Sequence, residues 1–117
     1  MADEAVARPL TIEIERDGDS AVVRCQGRLA TAASEIVYTR VRPLMPETRR
    51  IVLDLAGVTF IDSMGLGTLV RLYVHAKSAG CSLELVELGK RVRELLGRTR
   101  LLDVFTTVGE HGVTMRF

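Results

Sequence analysis

Net charge is almost missing from this chain: its 117 residues carry 16 basic and 15 acidic side chains, a formal +1. Such a balance supplies no general pull towards nucleic acid or anionic lipid, so direct nucleic-acid binding driven by bulk charge is not expected. Cysteine is scarce as well. Cys25 and Cys81 stand far apart in apolar surroundings, without the close spacing or neighbouring histidines of a metal or redox centre. They read as two reduced core thiols. No apolar run approaches the roughly 18 residues of a membrane span. The opening MADEAVARPL places acids where a signal peptide carries a basic region. A cytoplasmic protein without membrane insertion is therefore expected. Internal repeats, low-complexity tracts and linkers are lacking too, so residues 1–117 are expected to form one domain, with 1–9 and 110–117 loosely ordered.

What is present is ordinary globular composition, 47% apolar and 26% charged. Leu10, Ile12 and Ile14 alternate with Thr11, Glu13 and Glu15, the period of a half-buried strand. Arg16-Asp17-Gly18-Asp19 supplies a tight turn, and a returning strand over Ala21–Gln26 is expected to stop near Gly27. Thr31 is placed to cap a helix through Ala33, Val37, Val41 and Leu44, which Pro43 and Pro46 should end or kink near Arg42. The run Ile51–Leu55, IVLDL, suits a central strand covered on both faces. Ser63–Ala79 reads as the best helix, with an apolar stripe of Leu66, Leu69, Val70, Tyr73 and Ala76 and a stop at Gly80. A strand over Ser82–Glu87 and a short helix over 90–97 follow. Leu101–Thr107 closes the domain as a strand or a last helical turn. The order is that of an α/β fold: a mixed four- to five-stranded sheet, parallel in the middle, with an antiparallel hairpin at one edge.

The chemistry, if any, should sit in FIDSMGLGTLVRLY, Phe60–Tyr73. A phosphate cradle fails on composition. The pair Gly65 and Gly67 lacks the third glycine of a dinucleotide fingerprint, and no lysine occurs before Lys77 to complete a Walker loop. A serine nucleophile fails on geometry. His75 lies 12 residues beyond Ser63 on the same helix, about 18 Å away at 1.5 Å per residue. Asp62 alone is a poor activator of a hydroxyl, and Asp54 and Asp62 lack metal-ligand spacing. No cofactor, metal or catalytic group is expected, and the chain does not read as an enzyme. Either Asp62 or Ser63 can cap the helix. Capping does not account for two glycines in the opening turns, each costing up to about 1 kcal/mol against alanine. Small residues there leave backbone amides open to a partner surface, or to a phosphate carried by Ser63. The helix end favours an anion by about 0.3–1 kcal/mol, while Asp62 opposes a group of roughly −1.5 to −2 charges. Folding should tolerate that phosphate. A docked partner should not.

The run from Ile51 to Leu88, IVLDLAGVTFIDSMGLGTLVRLYVHAKSAGCSLELVEL, strongly resembles the STAS domain family, in particular its bacterial anti-sigma factor antagonists. Those proteins carry a strand, a loop ending in Asp-Ser-Ser/Thr-Gly-Leu-Gly, a helix, and a glycine turn into the next strand. A weaker likeness runs through RVRELLGRTRLLDVFTT and the N-terminal hairpin. The resemblance implies a sheet with helices packed on one side and no catalysis of its own. It implies partners: an anti-sigma factor, often a serine protein kinase, whose phosphorylation of the serine after the aspartate breaks the complex, and a phosphatase that restores it. The phosphoacceptor maps onto Ser63, and the docking surface onto Asp62, Met64, Gly65, Leu66 and Gly67. Met64 stands where the family usually has serine or threonine. Gly27-Arg28-Leu29-Ala30 replaces a common Gly-Glu-Leu-Asp, and Arg98-Thr99-Arg100-Leu101 departs from a common Ser/Thr-Gly-Leu. The alternative implied is a STAS module without the switch, a stressosome scaffold or a cytoplasmic subunit of a lipid transporter.

Overall fold

Gly18, at φ 60°, turns the chain between β1 (Thr11–Asp17) and β2 (Ser20–Leu29). Asp17 pairs with Ser20, so the loop is two residues long, and only its first takes a positive φ. That is the turn whose twist suits a hairpin. The structure, a computed structural model, describes residues 9–87, 89, 93, 94, 98 and 113–116. After the hairpin come α1 (Ala32–Val41), a 3₁₀ turn (Arg42–Glu47), β3 (Arg50–Ile61), α2 (Ser63–Ala79), β4 (Ser82–Val86) and β5 (Val113–Arg116). The sheet runs β1-β2-β3-β4-β5, antiparallel only between β1 and β2. Chain order and spatial order coincide. Val113–Arg116, within the stretch expected to be loosely ordered, supplies the fifth strand.

Alternation decides which side of the sheet carries the core. Ala21, Val23, Cys25 and Leu29 of β2, Ile51, Leu53 and Leu55 of β3, and Leu83 and Leu85 of β4 join one buried cluster. The helices close it with Val37, Tyr38 and Val41 from α1, and Leu66, Leu69, Leu72 and Ala76 from α2. Each fully buried aliphatic side chain contributes about 1.5–3 kcal/mol. On the opposite face, buried Glu84 accepts from Arg50 Nε at 2.7 Å and Nη2 at 2.6 Å. Val52 is buried there as well, so β3 is central and enclosed as IVLDL indicates.

Several boundaries differ from the expectation. β2 does not stop near Gly27. It runs on to Leu29, because Gly27 takes φ 103° and the pairing with β3 shifts register on both sides of that residue. β3 likewise continues through AGVTFI to Ile61, where β2 is its partner but β4 is not. The two strands form a projecting arm that carries the chain to Asp62. Pro43 sits at the start of the 3₁₀ turn, and α1 ends at Val41 as the prolines require. Of the helix expected over 90–97, Arg93 and Glu94 are described and helical. The element expected over 101–107 lies outside the described residues.

Both cysteines are buried free thiols. Burial, assisted by the Asp54 carboxylate, pushes the Cys25 thiol from its ordinary 9.0 up to about 12. The folded pKa is raised, so this stabilisation is complete below the unfolded pKa and is lost as pH climbs from about 9 towards 12. Unfolding free energies from urea titration in that window are expected to fall more steeply for the parent than for Cys25→Ala, by up to about 1.4 kcal/mol per pH unit. Equal slopes would show that the thiol does not titrate on unfolding.

Candidate functional site

The arm formed by β2 and β3 ends where α2 begins, and Asp62 makes the corner. Its backbone is still extended (φ −114°, ψ −173°), and its Oδ1 accepts from Gly65 N at 2.9 Å. The Asp62 carbonyl accepts from Leu66 N at 2.9 Å, the first full helical bond. Asp62, rather than Ser63, is therefore the cap that the sequence left open between them. Gly80 closes the far end in the left-handed conformation at φ 71°.

The second Asp62 oxygen reaches across the fold. Oδ2 accepts from Thr31 N at 3.0 Å, joining two segments 31 residues apart. Thr31 holds φ 49° and ψ −133°, a region that a β-branched residue enters at about 1–3 kcal/mol. Thr31 occupies the N-cap position of α1, as expected, but its hydroxyl does not cap. It donates to the Ala30 carbonyl at 2.8 Å, while the Thr31 carbonyl accepts from Ser34 N at 3.2 Å. Nothing in the local sequence around Thr31 signals this turn, because its partner belongs to another segment.

The two glycines of the motif have different jobs. Gly65 is buried, and a Cβ there would run into the Leu29 carbonyl oxygen and lie 3.0 Å from Ile61 Cγ1. Gly67 is half-buried, with open space where a Cβ would be. The expectation that both leave their amides free is corrected for Gly65, whose N–H is held by Asp62. Leu66 is buried in the core, so of the residues expected to meet a partner it and Gly65 shape the surface from beneath. Asp62 is half-buried. Ser63 and Met64 face solvent, Met64 at 57% exposure. The Ser63 hydroxyl makes no hydrogen bond among the described residues.

Further along α2, Val74 is 55% exposed and follows Met64 and Gly67 along the same side of the helix. Arg71 lies between them, with its guanidinium 3.8 Å from the Tyr38 ring centroid and bonded to Glu35 at 2.9 Å. His75 packs edge-on against Tyr38, with ring centroids 5.4 Å apart, so it belongs to the helix–helix seam and not to Ser63. His111 lies outside the described residues. Arg28, at one of the departures from the family pattern, stacks over Phe60 at 4.6 Å on the arm. Among the described residues, no group of three His, Cys, Asp or Glu side chains is placed to hold a metal ion. No helix among them is long and apolar enough to cross a membrane.

This corner joins a strand end, a helix capped by Asp62 and two glycines in its first turns, and comparison with known proteins identifies the family of the chain that carries it. The STAS domain model matches residues 11–112, and the chain belongs to the STAS domain family. A STAS-domain containing protein of Pseudomonas aeruginosa is 28% identical over 76% of this chain and 88% of its own length. The anti-sigma-B factor antagonist of Bacillus subtilis is 24% identical over 81% of this chain and 87% of that protein. Among solved structures, the Bacillus cell fate determinant SpoIIAA in its phosphorylated form superposes with a TM-score of 0.67 at 14% identity, covering 90% of each chain. That likeness concerns the fold.

Proposed function

We propose that this protein is an anti-sigma factor antagonist: it docks an anti-sigma factor at the entrance of α2 and so frees a sigma factor. Phosphorylation of Ser63 by that anti-sigma factor, acting as a serine protein kinase, turns docking off, and a phosphatase turns it on again. The observation that carries the reading is the exposed Ser63, whose hydroxyl makes no hydrogen bond among the described residues, on the first turn of a helix that Asp62 caps, next to exposed Met64. The Bacillus subtilis relative, named as an anti-sigma-B factor antagonist, supports the partner class. The phosphorylated form of SpoIIAA supports a fold that accommodates a phosphate. In this reading the chain binds and is modified, and performs no catalytic step itself.

The deciding experiment is incubation with a candidate anti-sigma kinase and ATP, followed by mass spectrometry of the peptide containing Ser63. A phosphate on Ser63, with loss of the complex, is expected. A stable complex whose Ser63 is never modified would point to a non-switching module instead.

Met64 offers a cleaner probe of the surface than its neighbours. It is exposed, so replacement leaves the core untouched, and an acid in the first helical turn favours the helix by about 0.3–1 kcal/mol. Met64→Asp is thus expected to fold at least as well as the parent while binding the anti-sigma factor about tenfold more weakly or worse. Unchanged affinity by calorimetry would place the interface elsewhere.

A further inference from the structure

We propose that Asp62 is a latch between the start of α2 and the turn from β2 to α1, and that a negative charge on Ser63 opens it. The proposal rests on the switching role of Ser63 and adds a second effect to it: modification changes the shape of the turn as well as the charge of the helix entrance. One carboxylate holds both sides, with Gly65 N on Oδ1 at 2.9 Å and Thr31 N on Oδ2 at 3.0 Å. Thr31 sits at φ 49°, a conformation that its side chain disfavours, so the turn has a relaxed alternative to fall into.

The latch has no electrostatic reserve. Asp62 forms no ion pair among the described residues. Arg71 is bonded to Glu35, and Arg28 stacks on Phe60. An anion on the adjacent Ser63 repels the carboxylate and competes with it for the same first-turn amides, and among the described residues no ion pair to Asp62 answers that repulsion. The Thr31 bond is the weaker side, because Gly65 lies in the same turn as Asp62 whereas Thr31 is tethered only through tertiary structure. Once released, Thr31 returns to negative φ, and the turn at 30–32 changes shape beside the docking surface.

The test uses the isolated full chain, with no partner present, and follows backbone amides by NMR and hydrogen exchange. In Ser63→Asp and in Asp62→Asn, the Thr31 amide is expected to exchange about tenfold faster or more, with the Leu53 and Leu83 amides as in the parent. Asparagine keeps one acceptor oxygen and loses the other, so it cannot hold both N–H groups. Should Asp62→Asn fail to fold, Ser63→Asp carries the test alone. Thr31→Gly, which holds positive φ without strain, is expected to keep the Ala30 and Ala32 amide shifts of the parent even when combined with Ser63→Asp. Parent-like Thr31 exchange and shifts in Ser63→Asp would overturn the latch, even if that variant had lost its partner and the switch stood. Fast Thr31 exchange with partner binding intact would leave the latch standing and overturn the switch.

Discussion

Gly65→Ala is expected to destabilise the fold by about 3 kcal/mol, at the upper end of the range for inserting a methyl into a packed interior. The usual relief for an overpacked site is a rotamer change in a neighbour. Here the obstacle is the Leu29 carbonyl oxygen, a backbone atom of β2 at the position where that strand pairs with Ile61 of β3. Making room would require α2 to lift from the end of the arm, weakening the Asp62 cap at the same time. Gly67→Ala is the internal control. Its Cβ meets open space, and alanine gains up to about 1 kcal/mol of helix propensity over glycine in a helix interior. Urea midpoints should therefore move in opposite directions for two substitutions that look alike in sequence. Equal losses would mean that the helix entrance tolerates no side chain at either position for reasons other than packing.

Ser63→Asp is expected to leave stability within about 0.5 kcal/mol of the parent while weakening the anti-sigma complex by about a hundredfold or more. The two effects separate because they draw on different surroundings. Within the free protein the new carboxylate points to solvent at a helix N-terminus, which favours it, and adjoins Asp62, which does not. Under a docked partner, water no longer screens it, and opposing or unpaired charge in a desolvated interface costs several kcal/mol. Ser63→Ala gives the mirror result. The hydroxyl has no hydrogen bond to lose among the described residues, so affinity should match the parent and become indifferent to kinase and ATP. Calorimetric titration of the three proteins against one anti-sigma factor checks both halves. Retained affinity in Ser63→Asp would remove the charge switch.

The elements most legible in the sequence were those whose signals are local. The helix over Ser63–Ala79 carries its own cap in Asp62, its own stop in Gly80 and a buried stripe, and both of its ends fall as expected. The core of β3 was legible from IVLDL for the same reason. Its continuation through AGVTFI was not, since the residues beyond Leu55 show neither alternation nor a continuous apolar run. They are a strand because β2 continues beside them. The site was legible as a motif but not as a mechanism of packing. Sequence cannot tell Gly65 from Gly67, because the difference lies in the Leu29 carbonyl. It cannot announce the strain at Thr31 either, because the carboxylate that holds that turn lies 31 residues away.

The acids of β1 have a further effect at the rim of the sheet. Among the described residues only β2 pairs with β1, so its outer row of N–H and C=O groups is a template on which a second copy could add its own β1. An antiparallel register that pairs most of the two strands and keeps Ile12 and Ile14 on one side brings Glu13, Glu15 or Asp17 of one copy opposite an acid of the other. Directly opposed like charges destabilise strand pairing. A chain with almost no net charge to keep its copies apart in solution is thus guarded against edge-to-edge stacking by where three carboxylates fall.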